Sequence, residues 1–354
     1  MQEVQFYLNK TKLIEKYQKF SNIGQIYYPL KTNSNETIIK ELIELYKDSN
    51  NGFLVTYLSH YNKLKKLGVS PLNMYVANVN ATDEEIREFY NKGIKTFTFD
   101  NIKSLQNFIE YADLKTVRIS IRLNICEVFN VYSHLGAYLN ECKNMLNLLK
   151  EKGNSNFGIS FYLQKETLPD KDALNKMLEY IIENFKDMNL KFINIGGGIN
   201  PDEINKEELD KIRKELNVEY IIIEPGRHFV GNSGYMETKI IKQKQDNVFI
   251  IQNGIYSGLL DAKLYDKTFD LSIDVNEEVI KLSSTPFADS KEINIYGSSS
   301  DSGDIIGTYY IKNEYFSKIE VGTKIIVNNA LAYVEEFFMP LGGDLTVKYN
   351  IIEN

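Results

Sequence analysis

The sequence is short of the residues that build metal or disulfide frameworks. Two cysteines, Cys126 and Cys142, cannot staple a fold, and three histidines (His60, His134, His228) without CxxC or HExxH spacing suggest no metal or haem site. Positive charge is scarce too. With 41 Lys and Arg against 48 Asp and Glu, the net charge is −7, and no basic surface offers itself to nucleic acid. No apolar run approaches the roughly 18–20 residues a membrane helix needs. The opening MQEVQFYLNKTKLIEKY has no secretion-signal core. A soluble, cytoplasmic protein without metal, membrane or nucleic-acid partner is expected. What is present is ordinary globular material: 354 residues, 43% hydrophobic and 25% charged, suited to one large domain plus a smaller one.

Short β-rich runs alternate with amphipathic helical stretches over the first two-thirds of the chain. The runs are QIYYPL (25–30), GFLVTY (52–57), NMYVANV (73–79), TFTFD (96–100), TVRISIRL (116–123), FGISFYL (157–163), KFINIGGG (191–198) and VEYIIIEPG (218–226). A helical pattern follows each of the first seven. Thr82 and Glu85 have capping-box spacing, and Pro201 suits the first turn of the seventh helix. The strand cores are nearly continuous apolar runs, as expected for strands buried on both faces. Eight βα units favour a TIM (β/α)8 barrel over an open doubly wound sheet. After residue 233 the pattern becomes strands and turns: YMETKIIKQKQ, NVFIIQNG, EVIKLSST, EINIYGSS, KIIVNNALAYV and LTVKYNI. The expected architecture is α/β: a barrel over residues 6–233, followed by a C-terminal antiparallel β domain over 234–354 that includes residues 1–5.

In such a barrel the active site lies at the C-terminal strand ends, with phosphate bound after strands 7 and 8. Gly196-Gly197-Gly198 ends the seventh strand and can bring backbone N–H groups against an anion. By itself a triple glycine reads first as a tight turn, and only the pairing with the loop after the eighth strand favours an anion site. Glu224-Pro225-Gly226-Arg227 ends the eighth and adds an acid and a cation. Lys31 ends the first strand. A lysine there is ordinarily a solvated charge, but beside a phosphate site it can form a Schiff base with pyridoxal phosphate (PLP).

The segments YYPLKTNSN, INIGGGIN, IEPGRHFVG, YGSSSDSGD and NNALAY occur in the order found in fold-type III PLP enzymes. The chain most resembles their ornithine/diaminopimelate/carboxynorspermidine decarboxylase branch, from about Phe6 to beyond Tyr333. The resemblance implies that Lys31 carries the Schiff base and that Glu224 pairs with the pyridine nitrogen. It implies that Gly196, Gly197, Gly198, Gly226, Arg227 and Tyr333 hold the phosphate, with Tyr162 against the ring. It also implies a head-to-tail homodimer in which Ser300 and Asp301 of one copy complete the site of the other. The substrate would be an amino acid, basic or diamino in character.

Three positions depart from the family pattern. Ser300 stands where the decarboxylases usually have a proton-delivering cysteine, Tyr162 where a histidine commonly stacks, and Asn253 where diamine-forming enzymes have an aspartate. Asn253 is a candidate for the substrate's distal amine or a plain turn residue, and Asp301 is a second candidate anchor. His134 is a further substrate-site candidate. Arg122 is either a group that orients the cofactor or half of an interior ion pair. His228 reads as packed, and both cysteines as inert. The short N-terminus implies a β domain without the strand that relatives draw from ahead of the barrel. The alternatives are an amino-acid racemase or epimerase, disfavoured because the acid Glu224 stands where a racemase would use arginine, or a non-catalytic PLP-binding relative.

Overall fold

A computed structural model describes residues 2–163, 172–265 and 268–353. The chain opens with β1 (Gln2–Asn9) and α1 (Lys10–Ser21). The βα units follow as β2 (Gln25–Pro29), α2 (Glu36–Tyr46), β3 (Gly52–Val55), α3 (Leu58–Lys66), β4 (Met74–Val76), α4 (Asp83–Asn91), β5 (Thr96–Phe99) and α5 (Ile102–Ile109). They continue as β6 (Arg118–Arg122), α6 (Leu139–Glu151), β7 (Phe157–Ser160), α7 (Ala173–Phe185), β8 (Phe192–Asn194), α8 (Lys206–Leu216) and β9 (Tyr220–Ile223). Strands β2 to β9 pair in parallel, and β9 returns to β2, so the barrel is closed.

These strands are only three to five residues long, too short for their ladders alone to hold them. Side-chain burial does more, at about 1.5–3 kcal/mol for each large apolar group. Tyr27, Leu54, Tyr75, Phe192 and Ile222 form one such cluster. Strand β6, RISIR, places its two arginines at opposite ends of the barrel. Arg118 donates to the Tyr27 hydroxyl at 3.0 Å and stands 5.1 Å over the Tyr220 ring. Arg122 is left at the C-terminal end, where the loops gather.

Local signals set several helix starts. Thr82 and Glu85 form the expected capping box on α4. The helix expected from Pro201 begins later. Pro201–Glu203 is a separate 3-10 turn, and Asn205 caps α8 by accepting from the Glu207 N–H at 3.0 Å. Residues 164–171, between the run FGISFYL and α7, lie outside the described residues.

The remaining strands are β10 (Gly234–Gln245), β11 (Val248–Ile251), β12 (Leu271–Val275), β13 (Glu278–Lys281), β14 (Ser290–Tyr296), β15 (Ile305–Lys312), β16 (Lys324–Asn328) and β17 (Leu345–Ile352), with short helices α9 (Asp261–Tyr265) and α10 (Asn313–Phe316). With β1 they make a nine-stranded, mainly antiparallel sheet, in which β1·β17 and β11·β14 are parallel. The expected lack of an N-terminal strand is therefore corrected. β1 lies between β10 and β17, and Val4, Phe6 and Leu8 are fully buried on one face. It also runs past residue 5, so the boundary expected at residue 6 falls inside a strand. β12 and β15 were not among the expected strands. Asp274 in β12 accepts the Glu277 N–H and reads as a turn residue, and Gly307 sits at a register shift in β15.

Two compact units result. One comprises Tyr17–Lys31 and Ile39–His228; the other comprises Met1–Lys16, Thr32–Ile38 and Phe229–Asn354.

Candidate active site

The C-terminal mouth of the barrel gathers Lys31, Arg122, Asn194 and Glu224 from the ends of β2, β6, β8 and β9. Lys31 is accessible to solvent but closely flanked by protein. Loss of hydration lowers its pKa from the ordinary lysine value; Glu224 works against that fall and Arg122 adds to it. Burial raises the pKa of Glu224, opposed by a hydrogen bond from Asn194 and by the charges of Lys31 and Arg122. Arg122 therefore bears on both groups through its charge.

Asn194 was not singled out from the sequence. It is fully buried, accepts from the Gly196 N–H at 2.9 Å and donates to Glu224 Oε1 at 2.7 Å. The same Nδ2 lies 3.3 Å from the Tyr75 hydroxyl, which shares a 2.5 Å hydrogen bond with Thr98 Oγ1. The only local hint was a polar residue closing an apolar strand.

The three glycines are required for two reasons. Gly196 and Gly198 have φ of +70° and +75°, where a side chain is strained. A Cβ on Gly196 would meet the Phe161 carbonyl oxygen, one on Gly197 would lie 2.5 Å from that of Glu224, and one on Gly198 2.8 Å from that of Leu163. Tyr162 flanks this loop, with its ring 3.7 Å from the position a Gly197 Cβ would take. The Glu224 N–H donates to the Gly196 carbonyl at 2.8 Å, which registers the two loops. Pro225 and Gly226 are buried, and Arg227 and His228 are half-buried directly after them. A loop that any Cβ would fill, an acid and an accessible lysine of lowered pKa suit PLP. The Gly196 N–H is already engaged by Asn194, which leaves the cradle to the amides that follow.

Other candidates stand elsewhere. His134 is exposed, on a loop held by Asn124, which donates to the Ser133 carbonyl at 2.9 Å, and by Asp100, which accepts from the Gly136 N–H at 2.8 Å. Cys126 is half-buried; burial pushes the Cys142 thiol far up, which suits an inert role.

The remaining candidates belong to the β unit. Ser300 and Asp301 are exposed on the β14–β15 turn. There Asp301 accepts from the Gly303 N–H at 2.7 Å and the Tyr256 hydroxyl at 2.9 Å. Nearby Asp304, missed from the sequence, is buried and accepts from the Ile255 N–H at 2.7 Å and the Ser299 N–H at 3.0 Å. Asn253 is fully buried, and neither polar atom of its side chain has a partner among the described residues. Tyr333 has φ of +60°, stacks on Phe337 at 5.9 Å, and its N–H donates to the Thr32 carbonyl at 2.6 Å.

A PLP-type barrel with this lysine, acid and glycine loop defines the class, and sequence comparison agrees. Residues 10–231 match the family described as pyridoxal-dependent decarboxylase, pyridoxal binding domain, and the chain belongs to that family. It is similar to a diaminopimelate decarboxylase of Aquifex aeolicus (25% identity over 71% of this chain and 66% of the relative). It is also similar to an ornithine decarboxylase of Schizosaccharomyces pombe (24% identity over 68% of this chain and 58% of the relative). The matched stretch thus spans less than two thirds of these curated relatives. In structure it resembles an arginine decarboxylase of Paramecium bursaria Chlorella virus (TM-score 0.80, 17% identity, 99% and 97% of the two chains). A lysine decarboxylase of Selenomonas ruminantium is also similar (TM-score 0.80, 19% identity, 99% and 93%), which supports the same fold. Among the described residues no helix is long and apolar enough to cross a membrane.

Proposed function

We propose that this chain decarboxylates a basic or diamino acid with PLP as cofactor. The observation that carries the reading is Glu224 at the barrel mouth beside Lys31 and the glycine loop, an acid where a racemase would place a cation. PLP supplies an electron sink for the carbanion left at Cα when CO2 departs. Lys31 would hold the cofactor's aldehyde carbon, and its lowered pKa leaves more free amine at neutral pH. Ionised Glu224 would keep the pyridine nitrogen protonated, the glycine loop and Arg227 would bind the phosphate, and Tyr162 would cover the ring. Diaminopimelate, ornithine, lysine and arginine, the substrates in the relatives' names, all carry a second polar group on the side chain, which supports the substrate class.

Lys31→Ala should lose both the visible absorbance that borohydride abolishes and all turnover; an unchanged spectrum would sink the assignment. Arg227→Ala should weaken PLP retention on dialysis tenfold to a hundredfold, about 1.5–3 kcal/mol. CO2 release from lysine, ornithine, arginine, diaminopimelate and carboxynorspermidine identifies the substrate, and inversion at Cα without CO2 would favour the racemase reading. In a head-to-tail dimer Asp301 of one copy would meet the distal ammonium in the other. Mixed Lys31→Ala and Asp301→Ala subunits should then regain about a quarter of the sites.

A further inference from the structure

We propose that Asn194 is a positioning residue that holds Glu224 in its ionised form, with its own orientation dictated by the backbone of the glycine loop. The inference rests on the PLP reading above and names the residue that sets the state of its acid.

A backbone N–H can only donate, so the atom of Asn194 that faces the Gly196 N–H at 2.9 Å must be Oδ1. The amide therefore cannot flip, and Nδ2 must face Glu224. Nδ2 can only donate, so Glu224 Oε1, 2.7 Å away, has to offer a lone pair. A carboxylate always can; a carboxylic acid can only with its other oxygen protonated. Tyr75, 3.3 Å from the same Nδ2, accepts there and shares a second hydrogen bond with Thr98 Oγ1 that either hydroxyl can donate. Asn194 is fully buried, so water does not compete.

The groups that face Glu224 are Lys31 from the end of β2, Arg122 from β6, and Asn194 from β8, with neutral Tyr75 of β4 behind the amide. Burial pushes the acid toward its neutral form, and the amide and the two cations oppose it. Of these only the amide fixes where the carboxylate points. Turnover that needs ionised Glu224 is present above its pKa and is lost as pH falls through it.

Asn194→Asp separates the two ends of this side chain. It keeps the acceptor for Gly196 but sets an oxygen against Glu224 Oε1, so the two carboxyls compete for one proton. The PLP-loaded variant should show the acidic limb of its kcat–pH profile moved up by about one pH unit or more, a tenfold change in proton affinity. Its PLP retention should stay within a few-fold of the starting protein, while Asn194→Ala should lose retention about tenfold. A second readout needs no turnover. At neutral pH Asn194→Asp should lower the thermal midpoint of the cofactor-free protein, and adding Glu224→Gln should recover it, because a glutamine amide can donate where the asparagine did.

An unmoved acidic limb in Asn194→Asp, or a double variant that recovers nothing, overturns the inference. A starting protein that takes up no PLP overturns the functional reading instead. The thermal comparison still decides the bond between Asn194 and Glu224 in that case. An Asn194→Asp protein that fails to fold is judged by whether Glu224→Gln restores it.

Discussion

Glu224 in the barrel unit and Asp304 in the β unit both lie beside glycines, the first by its backbone carbonyl and the second by its carboxylate, and their acid groups are held by different kinds of donor. Asp304 accepts two backbone N–H groups, from Ile255 and Ser299, and its carboxylate occupies the space that a side chain on Gly254 or Gly297 would need. Glu224 accepts one side-chain amide and faces two cations. Backbone donors fasten loops, because they cannot be withdrawn without moving the chain. A side-chain amide and two flanking cations instead set the direction and charge of an acid without fastening a loop, which is what a site requires. Asp301, three residues before Asp304, shows a third arrangement: it lies exposed on the turn that Asp304 secures.

The largest effect that tests this contrast is on stability. Asp304→Ala strands the buried Ile255 N–H and the part-buried Ser299 N–H and should cost about 2–4 kcal/mol, whereas Asp301→Ala should leave the melting midpoint nearly unchanged. Equal losses in chemical denaturation would break the distinction between lock and displayed acid. Next comes the barrel's own backbone. Gly196→Ala adds a clash with the Phe161 carbonyl to a φ of +70° and should cost about 2–4 kcal/mol. Gly153→Ala, at φ +80° after α6 with nothing within 4 Å, carries only the strain of about 1 kcal/mol.

The smallest effect is one of pH. His60 has its pKa lowered to about 4, by burial first and by Lys63 second, while its Nδ1 accepts from the Thr56 N–H. The unfolded chain takes up a proton near 6.5 that the folded one refuses until about 4. Stability from this group is therefore whole above 6.5 and lost between 6.5 and 4, on the order of 1–2 kcal/mol after screening. Urea midpoints for His60→Gln should fall less steeply over that window; an identical slope would remove His60 as the cause.

Legibility differs between the two units for the same reason that their acids differ. The barrel repeats a local pattern, an apolar run followed by a helical period, so each of its eight strands could be read from its own residues. Lys31, Glu224 and the glycines could then be placed at strand ends by counting. The sheet of the β unit is joined across long separations: β1 pairs with β17 from the other end of the chain. β12, LSIDV, alternates but is only five residues long with the turn-like Asp274 inside it, and β15, with Gly307 inside, carries no clean alternation.

What the sequence determined by itself was the order of the barrel's elements and the chemistry of its strand ends, because both follow from periodicity over a few residues. Tertiary structure alone decided which polar side chains meet. Asn194 lies 30 residues from Glu224 and 119 from Tyr75. Those separations close only when the barrel does, and no local pattern encodes a hydrogen bond made that way.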